Sequence, residues 1–292
     1  MYICSRFLGE SKASKVLIAC PHGSDGRNFF DKFPEILNHK KIEPIRTLFQ
    51  NYVAIEQDRG SHELAHELAR FLENKGISSI VFEMDYPRAI VDGGRILDHC
   101  LRPCLPPDLF NRLKDKFLDM HQDMLHKLEE LHEEVNQNHG YVLDLHTMAS
   151  FSPHHKGEIK TIPVSFENLE EYYEQFINAP REKGYLRYVD VITEDGHGHY
   201  IADRKLAKAV SKNLSLANID YRENSPYFAP PEFLMNTHMS RCPGLAIDIP
   251  KHLLAAIERP EDFALDGFQL CYEKIGDMAQ ILGNGLMDAV KT

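Results

Sequence analysis

Short apolar runs alternate with amphipathic stretches along nearly the whole chain, and this alternation predicts the elements. Apolar runs rich in β-branched and aromatic residues, bounded by Gly, Pro and polar clusters, predict strands over residues 16–20, 52–55, 80–82, 141–145, 188–192 and 245–249. Apolar positions recurring at helical spacing predict helices over 62–75, 108–138 and 202–217, with a C-terminal helix beginning near 261. Strands that alternate with helices in this way imply an α/β fold, its sheet parallel or mixed and covered on both faces.

The run GYVLDLHTMAS, Gly140 to Ser150, reads as a buried strand ending in a loop. Asp144 and His146 interrupt its apolar pattern, and a period of two puts both side chains on one face. They lie at the carboxyl end of the strand, where open α/β sheets place their ligands. A second run, VLIACPHGSDGR, carries His22 and Asp25 on the loop after another strand. Two imidazoles and a carboxylate form the three-ligand set of a catalytic zinc, which leaves one position open for water.

Composition narrows the partners. The 292 residues carry a formal net charge of -11, and no long basic run is present to hold phosphates, so a small polar substrate is expected rather than a nucleic acid. No stretch of eighteen apolar residues occurs and the N-terminus does not resemble a signal segment, so no membrane partner is expected and a cytoplasmic location is. The six cysteines are spread along the chain, which suits reduced thiols.

Three further features bear on the chemistry. His62-Glu63-Leu64-Ala65-His66 satisfies the HExxH pattern of zinc proteases. However, Leu64, Leu68, Phe71 and Leu72 define an apolar face nearly opposite both histidines, and Glu83, the nearest third ligand, falls in a strand-like run. Arg88 and Arg95 flank a short apolar run ending in Gly93-Gly94, and their planar forks suit a carboxylate or an oxyanion. Asp248 is a carboxylate set among aliphatic residues in the run GLAIDIP, costly there unless it is paired or employed in proton transfer.

Taken in order, PHGSD, DRG, YPRAIVDGGR, VLDLHTM, NSPYF with a following TH, and GLAIDIPKHLL resemble the N-formylglutamate amidohydrolase family, relatives of the zinc carboxypeptidases and aspartoacylases. The resemblance implies a single domain over residues 1–292: a three-layer α/β/α fold with a mixed, mostly parallel sheet, phosphorylase/hydrolase-like. It further implies one zinc and hydrolysis of the amide of an N-acyl amino acid such as N-formylglutamate. On this resemblance His22, Asp25 and His146 hold the metal, Asp248 stands where the family has a water-activating glutamate, and Arg88 serves the oxyanion. Arg95, Asp92, Tyr227 and His238 are then expected to contact substrate. Gly94 replaces an asparagine of the family pattern, Ala229-Pro230 replaces a glycine pair, and Asp248 is one methylene shorter than glutamate. Two other readings stand beside this one: a carboxypeptidase-like peptidase, and a non-catalytic zinc-containing binding protein on the same fold.

Overall fold

The computed structural model describes residues 1–10, 13–152, 163–177 and 185–290. Seven strands form one sheet: β1 (Tyr2–Phe7), β2 (Val16–Cys20), β3 (Ser79–Met84), β4 (Tyr141–Met148), β5 (Val189–Ile192), β6 (Tyr221–Glu223) and β7 (Gly244–Pro250). Their order is β1-β3-β2-β4-β7-β5-β6. Strands β3, β2, β4 and β7 run parallel to one another, as β5 and β6 do, whereas β1 and β5 pair antiparallel to their inner neighbours. The mixed, mostly parallel sheet is therefore as expected.

The apolar runs are continuous because the central strands are buried on both faces, β2 and β7 over their whole lengths. One face carries Ile18, Val81, Leu143, Leu145, Ile247 and Ile249 and packs with residues of α3 (Ser61–Asn74), α6 (Arg204–Leu216) and α8 (Tyr272–Val290). The opposite face carries Leu17, Ile80, Phe82 and Val142 and packs with residues of α4 (Pro107–Gln137) and of the irregular stretch between β3 and α4. Shorter helices α1 (Arg27–Lys32), α2 (Arg46–Glu56), α5 (Leu169–Ile177) and α7 (Leu234–Arg241) complete the described elements that bear on the site. Among the described residues no helix is long and apolar enough to cross a membrane.

Three sequence expectations are corrected. Residues 52–55 are helical, in α2, where Phe49, Tyr52, Val53 and Glu56 are buried at helical spacing; a four-residue apolar run fits either geometry until its neighbours are counted. The C-terminal helix begins at Tyr272 rather than near 261, because Pro260–Asp262 forms only a short 3-10 turn and Gly267 follows with φ of +74°. Strands β1 and β6 were not expected. Both are edge strands with exposed positions and lack the unbroken apolar run of the centre.

The chain passes from β2 to β3 on one side and from β4 to β5, beyond the place later filled by β7, on the other, so the carboxyl ends of β2 and β4 flank a topological switch point. Open α/β sheets bind ligands at such a crevice.

Candidate active site

His22 extends from the loop after β2 and His146 from the end of β4, with ring centroids 5.0 Å apart. Both are 4% exposed. Between them lies Asp58, on the loop joining α2 to α3. Its backbone N–H donates to the His22 carbonyl at 2.9 Å, which ties that loop to the end of β2. Asp58 Oδ2 is 3.4 Å from His22 Nδ1 and 3.2 Å from His146 Nδ1.

The far side of each ring faces another buried carboxylate: His22 Nε2 is 2.7 Å from Asp92 Oδ1, and His146 Nε2 is 3.1 Å from Asp144 Oδ1. Carboxylates behind imidazoles fix ring orientation and direct the opposite nitrogen toward a metal. His22, Asp58 and His146 offer ligand atoms all within 4.8 Å of one another, the one such group among the described residues. A tetrahedral zinc with bonds of about 2.0–2.1 Å separates its ligands by about 3.3–3.4 Å, close to the spacings found. His22 Nδ1 is also buried without a hydrogen-bond partner. The donor set therefore fits a metal ion.

Asp25 is not part of this group. It is exposed and is used locally, accepting from the Arg27 backbone N–H at 3.0 Å and from Arg27 Nε at 2.6 Å. The close sequence spacing of His22 and Asp25 did not bring them together, because the loop turns at Gly26, whose φ is +77°, and aims Asp25 at the start of α1. Asp58 takes its place from a position 36 residues beyond His22.

Asp248 stands opposite His146 in the β4–β7 register and opposite Asp190 in the β5–β7 register, so the three side chains share one sheet face. Burial and then the neighbouring Asp58 push the Asp248 carboxyl up to about 7, and its Oδ1 has no hydrogen-bond partner. For Asp58, burial acts in the same upward direction, but the adjoining His146 and His22 imidazoles, with Arg88 nearby, outweigh it and hold the group well below the usual carboxylate range. Neighbouring carboxylates are thus driven apart, one ionised and one poised near neutrality, a division that acid–base chemistry uses.

Basic groups surround the carboxylates. The Arg88 side chain is 32% exposed and lies 3.6 to 3.8 Å from Asp58, Glu56 and Asp92. Arg102 is 3.0 Å from Glu56, which also accepts from the Tyr172 hydroxyl. Lys251 is buried and donates to the Gln57 carbonyl at 2.6 Å; burial pushes its ammonium down to about 8. Asp58 and Lys251 are site residues that the sequence pattern does not reveal. Both lie in short motifs, DRG and PKHLL, whose local pattern assigns neither side chain a role.

Of the residues expected at the substrate, Tyr227 is 37% exposed, with its phenol in the electrostatic neighbourhood of Asp248, Arg88 and Arg187. Arg95 lies over the Phe233 ring at 3.5 Å and is 3.6 Å from Asp92. Asp92 is spent on orienting His22. His238 is enclosed, 1% exposed, its Nδ1 2.7 Å from His132 Nε2 and its Nε2 3.7 Å from Asp144. It sits behind His146 rather than at an opening a substrate could reach. His62 and His66 reach the two oxygens of Glu83 at 3.1 and 2.9 Å. The HExxH segment is thus joined to β3 and is separate from the His22–Asp58–His146 group.

No protein-family model matches the sequence, and no curated protein matches it. In structure, the chain is similar to the N-formylglutamate amidohydrolase of Ralstonia eutropha, at 14% identity and a TM-score of 0.55, with 99% of this chain and 97% of that chain covered. It is likewise similar to a gene product of Agrobacterium tumefaciens, at 13% identity and a TM-score of 0.54, covering 99% and 94%. At such identities the likeness establishes the fold, and the resemblance read from the sequence holds at that level.

Proposed function

We propose that this protein is a zinc-dependent amidohydrolase that cleaves an N-acyl amino acid of the N-formylglutamate kind, in the cytoplasm. The observation that carries the reading is the convergence of two carboxylate-backed imidazoles on Asp58, beside an Asp248 poised near neutrality.

His22, Asp58 and His146 would hold the ion, which when bound would acidify water and polarise the acyl carbonyl. Asp248 accepts a proton from the attacking water and returns it to the leaving amine nitrogen, so the group begins and ends each turnover ionised. Arg88, partly exposed and free of any close hydrogen bond at Nε, supplies positive charge where the acyl oxygen becomes negative. Asp92 and Asp144 keep the imidazoles in register. The shorter side chain of Asp248 suits this geometry, because its place opposite His146 brings its backbone to the site.

Metal analysis of the purified protein tests the proposal, followed by assay against N-formyl and N-acetyl amino acids and against dipeptides. About one ion per chain is expected, lost in Asp58→Asn and His146→Ala but kept in Asp25→Asn and in the His62→Ala/His66→Ala double variant. Metal that follows His62 and His66 would overturn the assignment, and cleavage of dipeptides in preference to N-acyl amino acids would favour a carboxypeptidase-like enzyme.

A further inference from the structure

Five basic side chains lie in or beside the site, and their partners divide them. Arg102 is engaged with Glu56, Arg95 is stacked on Phe233, and Lys251 is bonded to the Gln57 carbonyl. Arg88 faces three carboxylates. Arg187 differs from the other three arginines, each of which lies near a carboxylate. It is 9% exposed, lies two residues before β5, and has its backbone N–H bonded to the Ser150 carbonyl just beyond β4. Its Nη1 donates to the Tyr227 hydroxyl at 3.1 Å, its Nε is buried without a partner, and among the described residues it makes no ion pair.

A guanidinium has five N–H donors and cannot shed its charge, so leaving it buried with one neutral partner is costly. Among the described residues no carboxylate forms an ion pair with it. Asp190 is committed to the backbone N–H groups of Ser225 and Tyr227, at 2.8 and 2.7 Å. Asp248 feels the charge of Arg187 without forming an ion pair with it. The opening is marked by Tyr227 and Arg88, both about a third exposed.

We infer that Arg187, steadied by the Tyr227 hydroxyl, is the group that binds the carboxylate of the substrate, a role the sequence had given to Arg95. The inference rests on the proposed amidohydrolase reading and narrows its substrate class to acyl amino acids with a free carboxylate. Charge then closes locally: the substrate anion pairs with a buried guanidinium that makes no ion pair among the described residues, while Arg88 is left for the acyl oxygen. A bidentate carboxylate on a guanidinium fixes orientation as well as position, which sets the scissile amide relative to Asp248.

The test compares N-formyl and N-acetyl amino acids with the same compounds as C-terminal carboxamides, in wild type, Arg187→Gln, Arg187→Lys and Tyr227→Phe. Wild type should favour the free acids. Arg187→Gln should raise KM for the acids about 10- to 100-fold, the value of a charge-assisted bond, and leave kcat/KM for the carboxamides nearly unchanged. Arg187→Lys should restore part of the loss, and Tyr227→Phe should shift KM in the same direction by less. An equal loss for acids and carboxamides, or no change in either, would overturn the inference. If wild type cleaves none of the panel, the amidohydrolase reading fails separately. Calorimetric binding of N-acetylalanine against its carboxamide then decides Arg187 alone: acid-selective binding abolished by Arg187→Gln supports it, and equal binding of the two compounds sinks it.

Discussion

Whether a carboxylate reaches a metal depends on the backbone that carries it more than on its distance in sequence. Asp25 and Asp58 make the point: Asp25 is three positions from His22 and is turned away, whereas Asp58 is 36 positions away and is held beside it by its own N–H bond to the His22 carbonyl. Gly94 has a physical reason of its own, because a Cβ there would lie 2.8 Å from the Cε1 and Nε2 atoms of His22. An asparagine at this position would force the ring to move. Gly94→Ala should therefore weaken metal retention on dialysis while the protein stays folded, and full retention would show that the ring shifts without consequence. Asp248→Asn keeps the size of the side chain and removes the base. Turnover should fall by about 10²- to 10⁴-fold, with metal content unchanged by elemental analysis.

At the scale of elements, α3 shows how one helix can present a catalytic-looking pattern and serve another end. Leu64, Leu68 and Leu72 are fully buried against the sheet, as their spacing required. His62 and His66 do not lie on a solvated face, as the spacing had suggested: both are partly buried and close over Glu83 of β3, and the His62 ring lies so close to Gly23 that a Cβ there would meet it at 2.1 Å. The segment thus supports the loop that carries His22. Replacing Leu68 by Ala should cost about 2–5 kcal/mol in urea unfolding, as core truncations do. Leu216, on α6, is 71% exposed, and its replacement by Ala should stay within about 0.5 kcal/mol.

For the molecule as a whole, the clearest pH response comes from buried histidines away from the candidate metal ligands. Burial and then Lys274 push His252 down to about 4, below its ordinary value of 6.5. Between those values the unfolded chain binds the proton that the folded one refuses, so stability present above about pH 6.5 is lost as pH falls toward 4. Asp190 and Asp248, raised to about 6 and about 7, act in the opposite sense over the same range, so the wild-type curve alone would hide the effect. The difference between wild type and His252→Leu isolates it. From pH 7 to pH 4.5 wild type should lose about 2–3 kcal/mol relative to the variant, read from urea midpoints at the two pH values. A constant difference would show that His252 charges freely in the folded state.

The sequence by itself determined the central strands, the long helices and two of the three candidate metal ligands. Unbroken apolar runs and helical spacing are local records of burial, and His22 and His146 each stand at the end of such a run. Residues 52–55 were misread because a short apolar run records burial without recording geometry. Only the tertiary structure decided which carboxylate joins the two imidazoles and which arginine makes no ion pair among the described residues. Both depend on how loops from distant parts of the chain meet at the switch point between β2 and β4. Asp58 reaches His22 through a bond between loops, and Arg187 is singled out because its neighbours Asp190 and Asp248 are committed or set apart from it. Those relations arise from packing across the sheet, and no local pattern carries them.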